Sequence, residues 1–195
     1  MEAISSIIRA AFANARAVPI PFDDPLHRHR ERSRLWVEAL ASEFRRFYCD
    51  DASVRVFSKH CPDYRRDFHL NELLYDVCVC RVAVVPSAVH KKDLLYIKES
   101  LWQVESEFAR DSRQALIDFN KLVLGSSRNK LFIGPQVNDN ESFIKVLVPP
   151  ASVCMGNVFL VLLPHPSVWD SDCADNVLFW RFQDGDWRSK PSGCV

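Results

Sequence analysis

The chain has 195 residues and a mass of 22.4 kDa, enough for one domain with a sizeable core. Its 48% apolar and 26% charged residues exclude a disordered or collagen-like class. Lysine plus arginine balance aspartate plus glutamate at 25 each, which excludes a global basic field and leaves only local patches for a polyanion.

Seven cysteines, Cys49, Cys61, Cys78, Cys80, Cys154, Cys173 and Cys194, are scattered, with no pair of CxxC motifs. The pattern predicts reduced thiols and a cytoplasmic location. No apolar run reaches membrane-spanning length, so no membrane is expected. Arginines interrupt the apolar residues near the N-terminus, which argues against a secretory signal.

Residues 2–16 place Ile4, Ile7, Ile8, Ala11, Phe12 and Ala15 at helical spacing. Three prolines in residues 18–25 predict an extended connector. A basic segment follows (RHRERSR, residues 28–34), containing Arg28, Arg30 and Arg32. A second helix is expected from Ser33, a good N-cap, to about Tyr48. Its apolar stripe is Trp36, Leu40, Phe44 and Phe47, and Glu43 falls within that stripe. An acid in an apolar stripe breaks the local pattern, as functional residues do. The alternative is an ion pair with an arginine. The expected division is therefore residues 1–32, helix and basic linker, and residues 33–195, the main domain.

Residues 53–60 alternate and predict a strand, followed by a polar segment at 62–67 that holds Arg65 and Arg66. Residues 70–85 (LNELLYDVCVCRVAVV) read as a long central strand with Asp76 as its interior acid. Residues 86–99 read as a loop with a helical turn. In residues 100–107, Gln103, Glu105 and Glu107 share one strand face. Carboxylates on such a face are costly unless paired, solvated or bound to metal. An exposed edge strand would explain Glu105 and Glu107 otherwise, and a bulge or a pair with Arg81 would explain Asp76. A polar turn at 110–112 leads into a helix with the stripe Ala115, Leu116, Phe119, Leu122 and Val123, stopped by Gly125. Strands are expected at 130–134, at 158–163 (buried on both faces) and at 177–183, with residues 143–148 ambiguous.

The remaining motifs are weak. His27-x-His29 lacks further zinc ligands nearby. Cys78-x-Cys80 suits core packing. No phosphate-binding glycine loop and no G-x-S-x-G occurs.

The order helix, three strands, helix, strand resembles the restriction-endonuclease-like nuclease superfamily over roughly residues 33–163. The residues carrying the resemblance are Asp76 in YDVCV, then QVESE, then a helix with DFNKL. The resemblance implies an α/β fold with a central mixed β-sheet flanked by helices. It further implies a metal-dependent nuclease, most naturally on DNA, using Mg²⁺ or Mn²⁺ and plausible as a homodimer. Asp76 and Glu105 would hold the metal, and Glu43 would support a second metal or its waters. Glu107 stands where the family usually has lysine, and it would orient the water or bind metal. Lys121 is the candidate for a lysine migrated to the following helix. Arg28, Arg30, Arg32, Arg65 and Arg66 would contact backbone phosphates. The rival from another class is a non-catalytic interaction module on the same scaffold.

Overall fold

The structure is a computed structural model describing residues 2–61, 65–69, 72–170 and 176–189. Its centre is a seven-stranded mixed sheet with strands in sequence order. These are β1 (Val54–Ser58), β2 (Val77–Ser87), β3 (Lys92–Ser106), β4 (Asn129–Pro135), β5 (Asn157–Leu163), β6 (Leu178–Gln183) and β7 (Asp186–Ser189). β1, β2 and β3 form an antiparallel meander, β4 and β5 continue parallel to β3, and β6 and β7 return antiparallel. Parallel neighbours need crossovers. The short α3 (Arg65–Phe68) lies between β1 and β2, α4 (Ser112–Leu124) makes the first crossover, and α5 (Asn140–Val146) with α6 (Val148–Val153) the second.

The sheet is covered on both sides, so the architecture is α/β. One core joins α1 (Glu2–Ala17) and α2 (Pro25–Phe47) to Val77, Val79, Val104, Ile133 and Val161. The other joins α4, α5 and α6 to Cys78, Cys80, Phe132, Leu160 and Leu162. Alternation explains the split: Leu131 and Ile133 face the first layer while Phe132 faces the second. Residues 158–163 are buried on both faces, as their continuous apolar run predicts. Trp36, Leu40 and Phe44 are each at most 1% exposed, and burying such side chains stabilises the fold by about 1.5–3 kcal/mol apiece.

Several boundaries differ from the sequence expectation. α2 begins at Pro25 rather than near Ser33. The Asp24 carboxylate accepts from the His27 N–H at 2.9 Å, and Pro25 enters the first turn without needing its missing N–H. Ser33 lies mid-helix, its hydroxyl donating to the His29 carbonyl at 3.0 Å. The division between residues 32 and 33 therefore falls inside a continuous helix, and α1 shares the main core. Phe47, expected in the stripe, is 52% exposed at the helix end.

The strand expected over 70–85 begins only at Val77, because residues 74–76 form a bend; Leu70 and Asn71 lie outside the described residues. The segment 86–99 is no loop: β2 and β3 stay paired out to Ser87 opposite Lys92. Pro86 is tolerated because β1 ends opposite Arg81, leaving that edge of β2 free of a ladder. The ambiguous 143–148 segment is split between α5 and α6. β6 and β7 meet at Asp184-Gly185, both at positive φ, the backbone that an Asp-Gly hairpin turn requires.

Cys49, Cys78, Cys80 and Cys154 are free thiols, and Cys61 is buried. Cys173 and Cys194 lie outside the described residues. Among the described residues no helix is long and apolar enough to cross a membrane.

Candidate functional site

The sheet brings Asp76 and Glu105 to one place by register. Val77 pairs with Val104, so the residue before β2 and the residue after Val104 lie side by side. β3 is central, between β2 and β4, and Glu105 is 1% exposed. It therefore does not belong to a solvated edge. Nor does Asp76 pair with Arg81, which instead meets Asp51 at 2.8 Å. Asp76 accepts two hydrogen bonds from Ser106, from the backbone N–H at 2.9 Å and from the hydroxyl at 2.7 Å.

α4 packs on the same face of the sheet through Ala115, Phe119 and Leu122. Its N-cap is Asp111, whose carboxylate accepts from the Arg113 N–H. At its other end the Tyr75 hydroxyl donates to the Lys121 carbonyl at 3.2 Å. Gly125 stops the helix, and a Cβ there would stand 1.9 Å from Gln103 Oε1. Gln103, a further candidate on the carboxylate face, is thus a strut: its Oε1 accepts from the Ser127 N–H at 3.3 Å.

So held, α4 aims Asp118 and Lys121 at the carboxylates. Lys121 Nζ lies 3.1 Å from Glu105 and 2.8 Å from Asp118. Its position on the helix flank, 35% exposed, lets the aliphatic stem run along the packed face while the ammonium reaches inward. Asp118 was not singled out from sequence. The signal was available in retrospect, as the i, i+3 partner of Lys121 beside the apolar stripe.

The charges do not balance. Asp76, Glu105, Glu107 and Asp118 gather around one ammonium, which sits between Glu105 and Asp118. Burial, followed by repulsion from Asp76, pushes Glu105 up to about 8. Burial raises Asp76 too, opposed by the Ser106 hydrogen bonds. Burial also raises Glu107, even though its carboxylate accepts from the Ala109 N–H at 2.5 Å; Asp118 beside it pushes the same way. Glu105 Oε1 is buried and takes no hydrogen bond within the protein. An acceptor left so is costly, and a cation or a proton is what it lacks. Carboxylate oxygens are suitable ligands for Mg²⁺ or Mn²⁺. Among the described residues, however, no three acidic, histidine or cysteine side chains are already posed around one ion. Lys121 holds the centre instead.

Other expected residues lie elsewhere. Glu43 is on α2, whose layer covers the opposite face of the sheet. It accepts from Asn14 Nδ2 at 2.9 Å and pairs with Arg46, so it takes the ion-pair role and not a metal-supporting one. Most of the basic segment is also engaged. Arg32, 3% exposed, donates to the Ala15 and Val18 carbonyls at 3.0 Å each and pairs with Asp170. Arg28 shares Asp170, and Arg34 pairs with Glu31 and Glu38. Arg30 and Arg65 are exposed, while the Arg66 side chain lies outside the described residues.

Comparison with family models, with curated proteins and with solved structures gives no match.

Proposed function

We propose that the protein is a metal-dependent nuclease of restriction-endonuclease-like type that hydrolyses phosphodiester bonds, most naturally in DNA. The observation that carries the reading is the surplus of carboxylate around buried Glu105, with half-buried Asp76, Glu107 and Asp118 beside it, Glu105 raised to about 8 and one of its oxygens lacking a partner. The element order α2, β1, β2, β3, α4, β4, interrupted only by the one-turn α3 after β1, supports the same scaffold. So does the placement of one acid just before β2 and two at the end of β3.

Asp76 and Glu105 would hold Mg²⁺ or Mn²⁺. The bound ion would supply charge neutralisation at the phosphate and a water acidified towards neutrality. Ser106 fixes the Asp76 carboxylate through two hydrogen bonds. Glu107, oriented by the Ala109 N–H, accepts the proton of the attacking water, a task matched to its raised pKa. Lys121 places a positive charge beside the developing negative charge of the phosphoryl group. A homodimer suits the cutting of both strands of a duplex.

A second reading, the non-catalytic interaction module, is favoured by one observation: the Lys121 ammonium bridges Glu105 and Asp118 where an ion would bind.

Calorimetry with Mg²⁺ and Mn²⁺ separates the two, followed by cleavage assays on duplex and single-stranded DNA and RNA. The nuclease reading expects binding that Asp76→Ala with Glu105→Ala abolishes and that Glu43→Gln retains. Folded wild-type protein that binds neither ion, with nucleic acid present, would favour the module.

A further inference from the structure

A second concave site lies on the same side of the sheet as α1 and α2. It is a cavity of about 770 Å³ between the first turns of α2 and the turn after β5, lined by Leu26, Arg28, His29, His165 and Val168. Its rim is apolar and open, with Leu26 71% and Val168 44% exposed. At its back the His29 and His165 rings are stacked, with centroids 5.4 Å apart and planes inclined by 26°.

The His165 ring is held at Nδ1, which accepts from the Ser167 N–H at 3.2 Å and meets the Ser167 hydroxyl at 2.8 Å. Burial and nearby Arg110 hold His165 down to about 4, so it is neutral at physiological pH, and burial lowers His29 as well. The other charges cancel within the cavity: Arg28 and Arg32 stand against Asp23 and Asp170. A neutral, flat-walled, apolar-rimmed pocket does not suit a bare phosphate. It suits a planar, uncharged heteroaromatic ring.

The pocket is joined to the acidic site by one short segment. Glu107 is in the carboxylate cluster, and Phe108 and exposed Arg110, the next residues along, lie near His165. His165 follows β5 and Glu107 follows β3, and β3, β4 and β5 run parallel, so the cavity and the carboxylates, on opposite faces, meet at the same edge of the sheet.

We infer that the His29–His165 cavity is a nucleobase subsite, which stacks a base of the strand whose scissile phosphate lies at Asp76 and Glu105, with Arg110 taking an intervening phosphate. The inference rests on the nuclease reading for the identity of that strand.

The test uses the full chain with labelled histidines, without metal. Titration with 5′-AMP is expected to shift the His29 and His165 ring resonances, and inorganic phosphate at equal concentration is expected to leave them in place. His29→Ala with His165→Ala is expected to weaken binding of a short single-stranded oligonucleotide about tenfold. Leu26→Ser, on the exposed rim, is expected to weaken it in the same direction without touching the histidines. Shifts produced equally by phosphate would overturn the base assignment. So would histidine resonances that neither AMP nor the oligonucleotide moves. Mg²⁺ calorimetry on the same variants keeps the two readings apart. Retained Mg²⁺ binding without AMP shifts rejects the subsite alone, whereas AMP shifts in a protein that binds no ion reject the metal-dependent reading alone.

Discussion

Glu105 costs the folded protein stability whenever it is ionised. Its carboxyl has an ordinary value of 4.5 and is raised to about 8 in the fold. A raised acid is stabilising while protonated, so its contribution is fully present below pH 4.5 and is lost as pH rises through about 8. The isosteric Glu105→Gln keeps the shape and removes the ionisation. It is expected to raise the thermal midpoint at pH 8.5 by roughly 5 °C relative to wild type and to change it little at pH 4.5. The same variant should lose Mg²⁺ binding. Thermal unfolding at the two pH values checks this, and equal midpoints at pH 8.5 would contradict the burial argument. Asp118, the first residue of DFNKL with no role of its own in the sequence reading, joins the site through the fold: its neighbours Glu107 and Lys121 reach it from a strand end and from its own helix.

At the scale of elements, the basic segment of α2 was expected to grip phosphate, and the fold uses it to fasten one helix to the rest. Arg32 satisfies carbonyls at the end of α1 and meets Asp170 beyond β5. Removing it leaves those groups without their charged donor, so Arg32→Ala is expected to destabilise the protein by about 3 kcal/mol. Denaturant unfolding reads this directly. The salt dependence of nucleic-acid binding by the variant should match that of wild type, since Arg32 is buried. The long helix was legible from Trp36, Leu40 and Phe44. Its true start was not, because Asp24 and Pro25 set it eleven residues ahead of Trp36, where there is no apolar stripe to follow. The 86–99 hairpin was missed for a related reason. Pro86 reads as a breaker, and only knowledge that β1 stops opposite Arg81 shows that this edge is free.

At the scale of the whole molecule, the net charge is zero, and the internal pairing of Arg28, Arg32 and Arg34 takes most of the basic segment away from a phosphate backbone. Binding of duplex DNA is therefore expected to depend shallowly on salt. The slope of log K against log salt should be about −2 to −4, near −0.9 for each phosphate neutralised. Fluorescence anisotropy over a salt series measures it, and a slope near −8 would mean that the pairs open on binding. The order of elements was largely written in the sequence, because alternation in strands and a 3.6-residue period in helices are local properties. Sequence alone thus determined the α/β class, the buried run 158–163, the helix ending at Gly125 and the candidacy of Asp76, Glu105 and Glu107. Tertiary structure decided which acids meet. Glu43 and Glu105 each look like a misplaced acid in one dimension, yet they lie on opposite faces of the sheet, Glu43 with Asn14 and Arg46, Glu105 with Lys121. Whether a buried charge finds a partner depends on strand register and helix packing across dozens of residues, and no local pattern encodes that.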